Sequence, residues 1–188
     1  MQYLFRIIAL CGLTIVLIAC IKEEPISDEI ITVGQRLPVF SLEMNNGQHI
    51  TNDSLKGKVS LIMFFHTGCP DCRQTLPHVQ HLYDEIQGKG VEFVLISREE
   101  EEASISTYWQ ENGLSMPYSA QTNRIIYEKF ARNRVPRIYI NDRYSIVKNI
   151  LFSCKNFFAH QNGYKPISFS CFFLGLFSSA SRFRRRVS

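Results

Sequence analysis

The stretch that decides the fold is Val59-Ser60-Leu61-Ile62-Met63-Phe64-Phe65-His66-Thr67-Gly68-Cys69-Pro70-Asp71-Cys72. Its first seven residues form an apolar run of strand length without alternation, the pattern of a central strand buried on both faces. From about Asp71 to Ile86 the spacing changes to that of a helix. Leu76, Val79, Leu82, Tyr83 and Ile86 form one stripe, and Gly88 and Gly90 stop it. A cysteine pair therefore sits where a buried strand hands over to a helix.

Outward from this joint the chain alternates. Before it, Val39 to Met44 and Gln48 to Thr51 flank Asn45-Asn46-Gly47, a hairpin signal. After it, Val91 to Ser97 reads as a second strand, and Glu99 to Asn112 as a helix with Ile105, Tyr108 and Trp109 on its buried side. Gly113 ends that helix, and its four leading glutamates read as a solvated helix start. A short helix is expected over Asn123 to Ala131, then strands at Arg137 to Ile140 and Ser145 to Leu151 around a turn near Asn141-Asp142. This order predicts an α/β fold with a parallel core and an antiparallel edge.

Charge and composition bound the function. The chain has 188 residues, 45% hydrophobic, with a formal net charge of +4. Six of its 21 Lys and Arg lie in residues 151–188, which contain no acid, leaving 15 basic and 17 acidic groups, net −2, over residues 1–150. A uniformly basic, nucleic-acid-binding domain is excluded. The tail also holds eight of the 14 Phe. It lacks helical periodicity, and its apolar run Ile167 to Phe177 is too short to span a bilayer. Residues 151–188 are therefore expected to be an atypical, disordered or frameshifted end that replaces a terminal helix. A membrane-surface segment and a divergent last helix are the alternatives.

At the other end, Arg6 precedes an apolar run from Ile7 to Ala19, the length of a signal-peptide core and short for a membrane span. Leu17-Ile18-Ala19-Cys20 resembles the bacterial lipobox. That resemblance implies a signal peptide over 1–19, lipidation at Cys20, a polar tether over 20–33, and a lipid anchor to a membrane of the cell envelope. Lys22-Glu23-Glu24 also resembles the surface-export signal of some Bacteroidetes lipoproteins, so both a periplasm-facing and a surface location are open.

Cys69-Pro70-Asp71-Cys72 admits redox chemistry, a zinc site with help from His66, His78 or His81, and an inert structural disulfide. Placement favours redox. At a helix N-terminus the unpaired N–H groups and the macrodipole favour a Cys69 thiolate, against which the charge of Asp71 works. Residues i and i+3 on a helix have Cβ atoms about 5–6 Å apart, so Cys72 is near enough to bridge with modest distortion.

Taken in order, Val33-Gly34, Leu37-Pro38-Val39-Phe40, Gly47, Leu55-Lys56-Gly57-Lys58-Val59, Phe64-Phe65, Cys69-Pro70-Asp71-Cys72 and Leu76-Pro77 resemble a TlpA-like thiol–disulfide oxidoreductase of the AhpC/TSA grouping. The resemblance implies a thioredoxin-like domain over 34–150, with a mixed central sheet flanked by helices and an N-terminal β-hairpin. It implies that Cys69 attacks disulfides and Cys72 resolves them, within a loop that includes Gly68, Pro70 and Asp71. Pro136 matches the cis-proline facing the cysteines, and Val135 offers backbone to an extended substrate. No bound cofactor or metal is implied beyond a redox-active Cys69–Cys72 disulfide. The partners implied are protein or small-molecule disulfides and an upstream electron donor. Two departures stand out: Gly68 replaces the usual Trp, and Met63 replaces the buried acid of thioredoxin, leaving His66 as a candidate for proton transfer. Thr67-Gly68-Cys69 misses the peroxiredoxin pattern, so an antioxidant peroxidase is the weaker enzyme reading. The non-enzymatic alternative is a metal-binding or inactive lipoprotein.

Overall fold

The computed structural model describes residues 28–152. The expected signal peptide at 1–19, the Cys20 lipidation site, the tether as far as residue 27 and the tail beyond Phe152 lie outside the described residues. Strands β1 (Ser41–Glu43) and β2 (His49–Thr51) form the hairpin, followed by β3 (Val59–Phe65), helix α1 (Pro70–Ile86), β4 (Val91–Ser97), α2 (Glu102–Glu111), β5 (Tyr118–Ser119), β6 (Arg137–Asn141) and β7 (Val147–Leu151). The main sheet has the order β5-β4-β3-β6-β7. Strand β3 lies at its centre, with β4 and β5 parallel to it, while β6 and β7 are joined by antiparallel pairing. All seven β3 residues are buried, as a continuous apolar run requires.

Both crossovers, β3 to β4 and β4 to β5, step in the same direction across the sheet. Right-handed connections then place both helices on one face, and the two cores divide accordingly. On the helical face Leu61, Met63 and Phe65 pack with Leu76, Val79, Ile105 and Trp109. On the other face Ile62 and Phe64 pack with Phe40, Leu42 and Ile50 from the hairpin region and with Tyr127 and Phe130. Phe64 lies 4.9 Å from Phe130 and 5.3 Å from Tyr127, centroid to centroid, the latter edge-on.

Two expectations are revised, one short strand is added and one boundary moves. The helix over Asn123 to Ala131 is a single 3-10 turn, Tyr127–Lys129. Its neighbouring bonds mix four-residue steps (Glu128 N–H to Arg124 O) with three-residue steps (Lys129 N–H to Ile126 O), and so short a piece cannot support a helix nucleus. The two-residue β5 carries no periodic signal; it forms because Asn45 of the hairpin turn accepts from Tyr118 N–H at 2.9 Å and donates its own N–H to Tyr118 O at 2.7 Å. Residues 28–33, read as the end of a tether, are pinned to the domain. Ile30 and Ile31 N–H both donate to Phe130 O, and the Glu29 carboxylate accepts from Arg137, which is wholly buried. Strand β7 continues to Leu151, one residue into the stretch assigned to the tail.

Replacing Phe64 by Ala removes the ring on which the second core converges. The expected loss is about 3–5 kcal/mol, read as a lower midpoint of urea unfolding.

Candidate active site

Strands β3 and β4 run parallel in register, Phe65 opposite Ser97, so the loops that leave them emerge side by side at the carboxyl edge of the sheet. This is the edge at which open α/β sheets bind their ligands. From β3 come His66 to Cys69, and α1 then begins with Pro70, whose missing N–H costs nothing there. Cys69 is the N-cap residue in extended conformation (φ −83°, ψ 121°) and makes no side-chain cap, which leaves its sulfur free to face outward. The half-buried thiol donates to Val135 O at 3.4 Å. The Val135–Pro136 peptide is cis.

Cys72, one turn on, faces the core and is 0% exposed. Both cysteines are free thiols. Burial pushes the Cys72 thiol far above its usual range; the His66 backbone N–H opposes this, while the neighbouring Cys69 adds to it. The two sulfurs of one motif thus meet different environments.

A groove of about 860 Å³ opens over the pair, lined among others by His66, Gly68, Cys69, Pro70, Asp71, Val135 and Pro136. These are the residues singled out from the sequence, gathered in one place. The His66 ring, however, turns to Gly68, accepting from its N–H at 2.9 Å, and reaches Cys72 only through its backbone. A Cβ on Gly68 would stand 3.1 Å from two His66 ring atoms, so the imidazole occupies space that a side chain at position 68 would need. Among the described residues, no group of three or more His, Cys, Asp or Glu is placed to hold a metal ion.

One expectation about the glutamate run is corrected. Glu100 is 6% exposed, not solvated. Its carboxylate accepts from Thr67 N–H at 2.9 Å and from the Thr67 hydroxyl, and lies 3.9 Å from His66 Nδ1. Arg73 Nε donates to Thr67 O at 2.5 Å, so the loop ahead of Cys69 is held from both sides. Also absent from the sequence reading are Arg98, Arg124, Asn133, Arg134 and Phe152, which complete the groove. Position supplied the missed signal: Arg98 and Glu100 follow β4 at the same edge where Cys69 follows β3.

Comparison with known proteins agrees with this geometry. A profile of the AhpC/TSA family matches residues 33–150. The thiol–disulfide oxidoreductase ResA of Bacillus subtilis is 28% identical over 121 residues, which cover 64% of this chain and 68% of that protein. Among solved structures, a thioredoxin-family thiol:disulfide interchange protein from Chlorobium tepidum superposes with a TM-score of 0.57 at 23% identity, covering 67% of this chain and 92% of that one. The thioredoxin domain of a thiol–disulfide oxidoreductase from Bacteroides vulgatus gives a TM-score of 0.60 at 18% identity, covering 69% and 95%. The fold is thioredoxin-like.

Two outcomes follow for the thiol and its support. Because folding raises the Cys72 pKa, the associated stability is fully present below the unfolded value of about 8.5 and is lost as pH rises above it. The urea midpoint of the reduced protein should fall between pH 8.5 and 10, by up to about 1.4 kcal/mol per pH unit, and Cys72→Ala should remove this slope. Above pH 10, Tyr108, Tyr118 and Tyr139, also raised by burial, join in. Glu100→Ala leaves the Thr67 donors unpaired and should cost about 1–3 kcal/mol, measured in the same unfolding experiment at pH 7.

Proposed function

The chain belongs to the AhpC/TSA family, and from that membership and the site geometry we propose that it is a thiol–disulfide oxidoreductase of the cell envelope, acting on protein disulfides. The observation that carries the proposal is the inequality of the two cysteines: Cys69 lies open to the groove at the helix start, and Cys72 lies sealed one turn beneath it.

In the reducing direction, the Cys69 thiolate attacks one sulfur of a substrate disulfide. A Cys69–substrate disulfide forms, the substrate S–S bond breaks, and the other substrate sulfur leaves as a thiolate. Cys72 then attacks the Cys69 sulfur. The Cys69–Cys72 bond forms, the substrate's second sulfur is released, and the single Cys72 proton passes to one of the two departing thiolates, the other taking its proton from solvent. Two electrons have moved from the protein dithiol to the substrate. Burial keeps Cys72 protonated until Cys69 is engaged, which disfavours premature reaction of the second thiol with solvent oxidants. Val135 O, already an acceptor for Cys69, and the adjoining groove give an extended substrate a backbone to lie against. Returning the enzyme to its dithiol requires a separate electron donor. The lipid anchor at Cys20 and the envelope location rest on the sequence of residues 7–20.

The test is insulin reduction with dithiothreitol as donor. Catalysis should vanish in Cys69→Ser and in Cys72→Ser, and Cys72→Ser alone should accumulate substrate adducts that dithiothreitol releases. If Cys72→Ser collects no such adduct from reducible substrates, the exchange mechanism is wrong.

A further inference from the structure

The groove over Cys69 is asymmetric in charge. Its lining includes three arginines, Arg98, Arg124 and Arg134, and one carboxylate, Asp71. None of the three arginines belongs to the motif, and two of them are held in place by a single buried side chain. Tyr127, 1% exposed, has the Arg98 Cζ 5.3 Å and the Arg124 Cζ 5.6 Å from its ring centroid. Its hydroxyl donates to Arg134 O at 2.6 Å, which fixes the loop that carries the third. The ring itself is braced edge-on by Phe64 from the central strand. Stacking on an aromatic face orients a guanidinium without consuming its hydrogen-bond donors.

Those donors are not used up by neighbouring acids. Arg98 Nε and Arg124 Nε are buried without a hydrogen-bond partner, so it is through their terminal nitrogens that these guanidiniums can meet a carboxylate in the groove. Glu99 lies 3.6 Å from Arg98 Nε and 3.8 Å from an Arg124 terminal nitrogen, sharing one charge between two cations, and is itself 47% exposed. Glu128 lies 3.4 Å from Arg124 Nε at 60% exposure. Arg124 also donates to Arg132 O at 2.6 Å. Arg134 is 80% exposed, and its Nε lies 3.3 Å from Asp28. Pairs this exposed hold weakly and are screened by salt, so an incoming carboxylate can compete for the same cations. The remaining buried acid, Glu100, is committed to Thr67.

We infer that this cationic wall selects the substrate, and that the preferred partner is an acidic peptide segment, a disulfide flanked by Asp or Glu in an extended chain. The inference rests on the thiol-exchange reading and adds the chemical class of its substrate. Arginine forks pair with carboxylates in bidentate fashion, and an excess of one sign of charge in a cleft lining, here three arginines to one carboxylate, raises the encounter rate of the opposite sign, by about tenfold at the low end of the range. Asp71, beside Cys69, leaves the position next to the attacked sulfur unfavourable for an acid, so the selected carboxylates lie further along the peptide.

The test uses the full-length reduced protein and three synthetic peptides. They share one internal disulfide with Ser next to each cysteine and differ only at the flanking positions beyond, which are Glu, Ser or Lys. Each rate is divided by the rate of the same peptide with dithiothreitol, to remove intrinsic reactivity. At low ionic strength the Glu peptide should be reduced about tenfold faster than the Lys peptide, with the ratio collapsing toward one in 0.5 M salt, where the Debye length is well below its value of about 8 Å at physiological ionic strength. Arg134→Glu, at an exposed position, should narrow or invert the ratio, and Arg124→Gln should narrow it. Equal normalised rates for the Glu and Lys peptides, with the Ser peptide still reduced, overturn the inference and leave thiol exchange standing. Failure to reduce any of the three peptides, and insulin as well, overturns both.

Discussion

The rest of the molecule depends on the joint between a strand with no exposed face and a helix that begins with a cysteine. Strand β3 is buried along its whole length, so the chain can release functional groups only where that strand ends. There the first turn of α1 has unpaired N–H groups and a Pro at its start. Cys69 takes the outward position at this turn, and the helical period returns Cys72 to the core. A half-buried thiol and a sealed one, one turn apart, follow from burying β3 on both sides.

The surroundings serve this arrangement from three directions. Glu100 and Arg73 fix the loop that enters the motif by bonding opposite sides of Thr67. The loop opposite, which presents Val135 O to Cys69, is held by Arg137. That wholly buried side chain donates to Asn133 O at 2.9 Å and is neutralised by Glu29 near the start of the described chain. The third support is the aromatic cluster of the second core. Through Tyr127 it reaches from Phe64 to the arginines of the groove, so the packing that stabilises the sheet also orients charge at its edge.

Much of this was legible in the sequence where a residue's neighbours lie near it in the chain. The central strand, α1 and its buried stripe, the Asn-Gly hairpin and the cysteine pair all show in local periodicity or spacing, and the family landmarks brought in Pro136 from 64 residues beyond Cys72. What was missed depends on contacts across the sheet. Glu100 looks like one of several solvated glutamates until the parallel register of β3 and β4 puts it beside Thr67. Arg137 looks like a strand-edge cation until Glu29 is found against it. The segment at Asn123 to Ala131 has helical residues, but its Tyr127 and Phe130 are claimed by the core, and tertiary packing holds it to one 3-10 turn. Residues whose roles depend on the family, such as Val135, were accessible only through resemblance.

The central claim is that the two thiols of the motif have unequal access by construction. Its most direct measurement is the rate at which each is alkylated in the native reduced protein at pH 7.5, followed by mass spectrometry of the peptides containing Cys69 and Cys72. Iodoacetamide should modify Cys69 and leave Cys72 intact until denaturant is added. Labelling of Cys72 in the native protein at a rate equal to that of Cys69 would contradict the account.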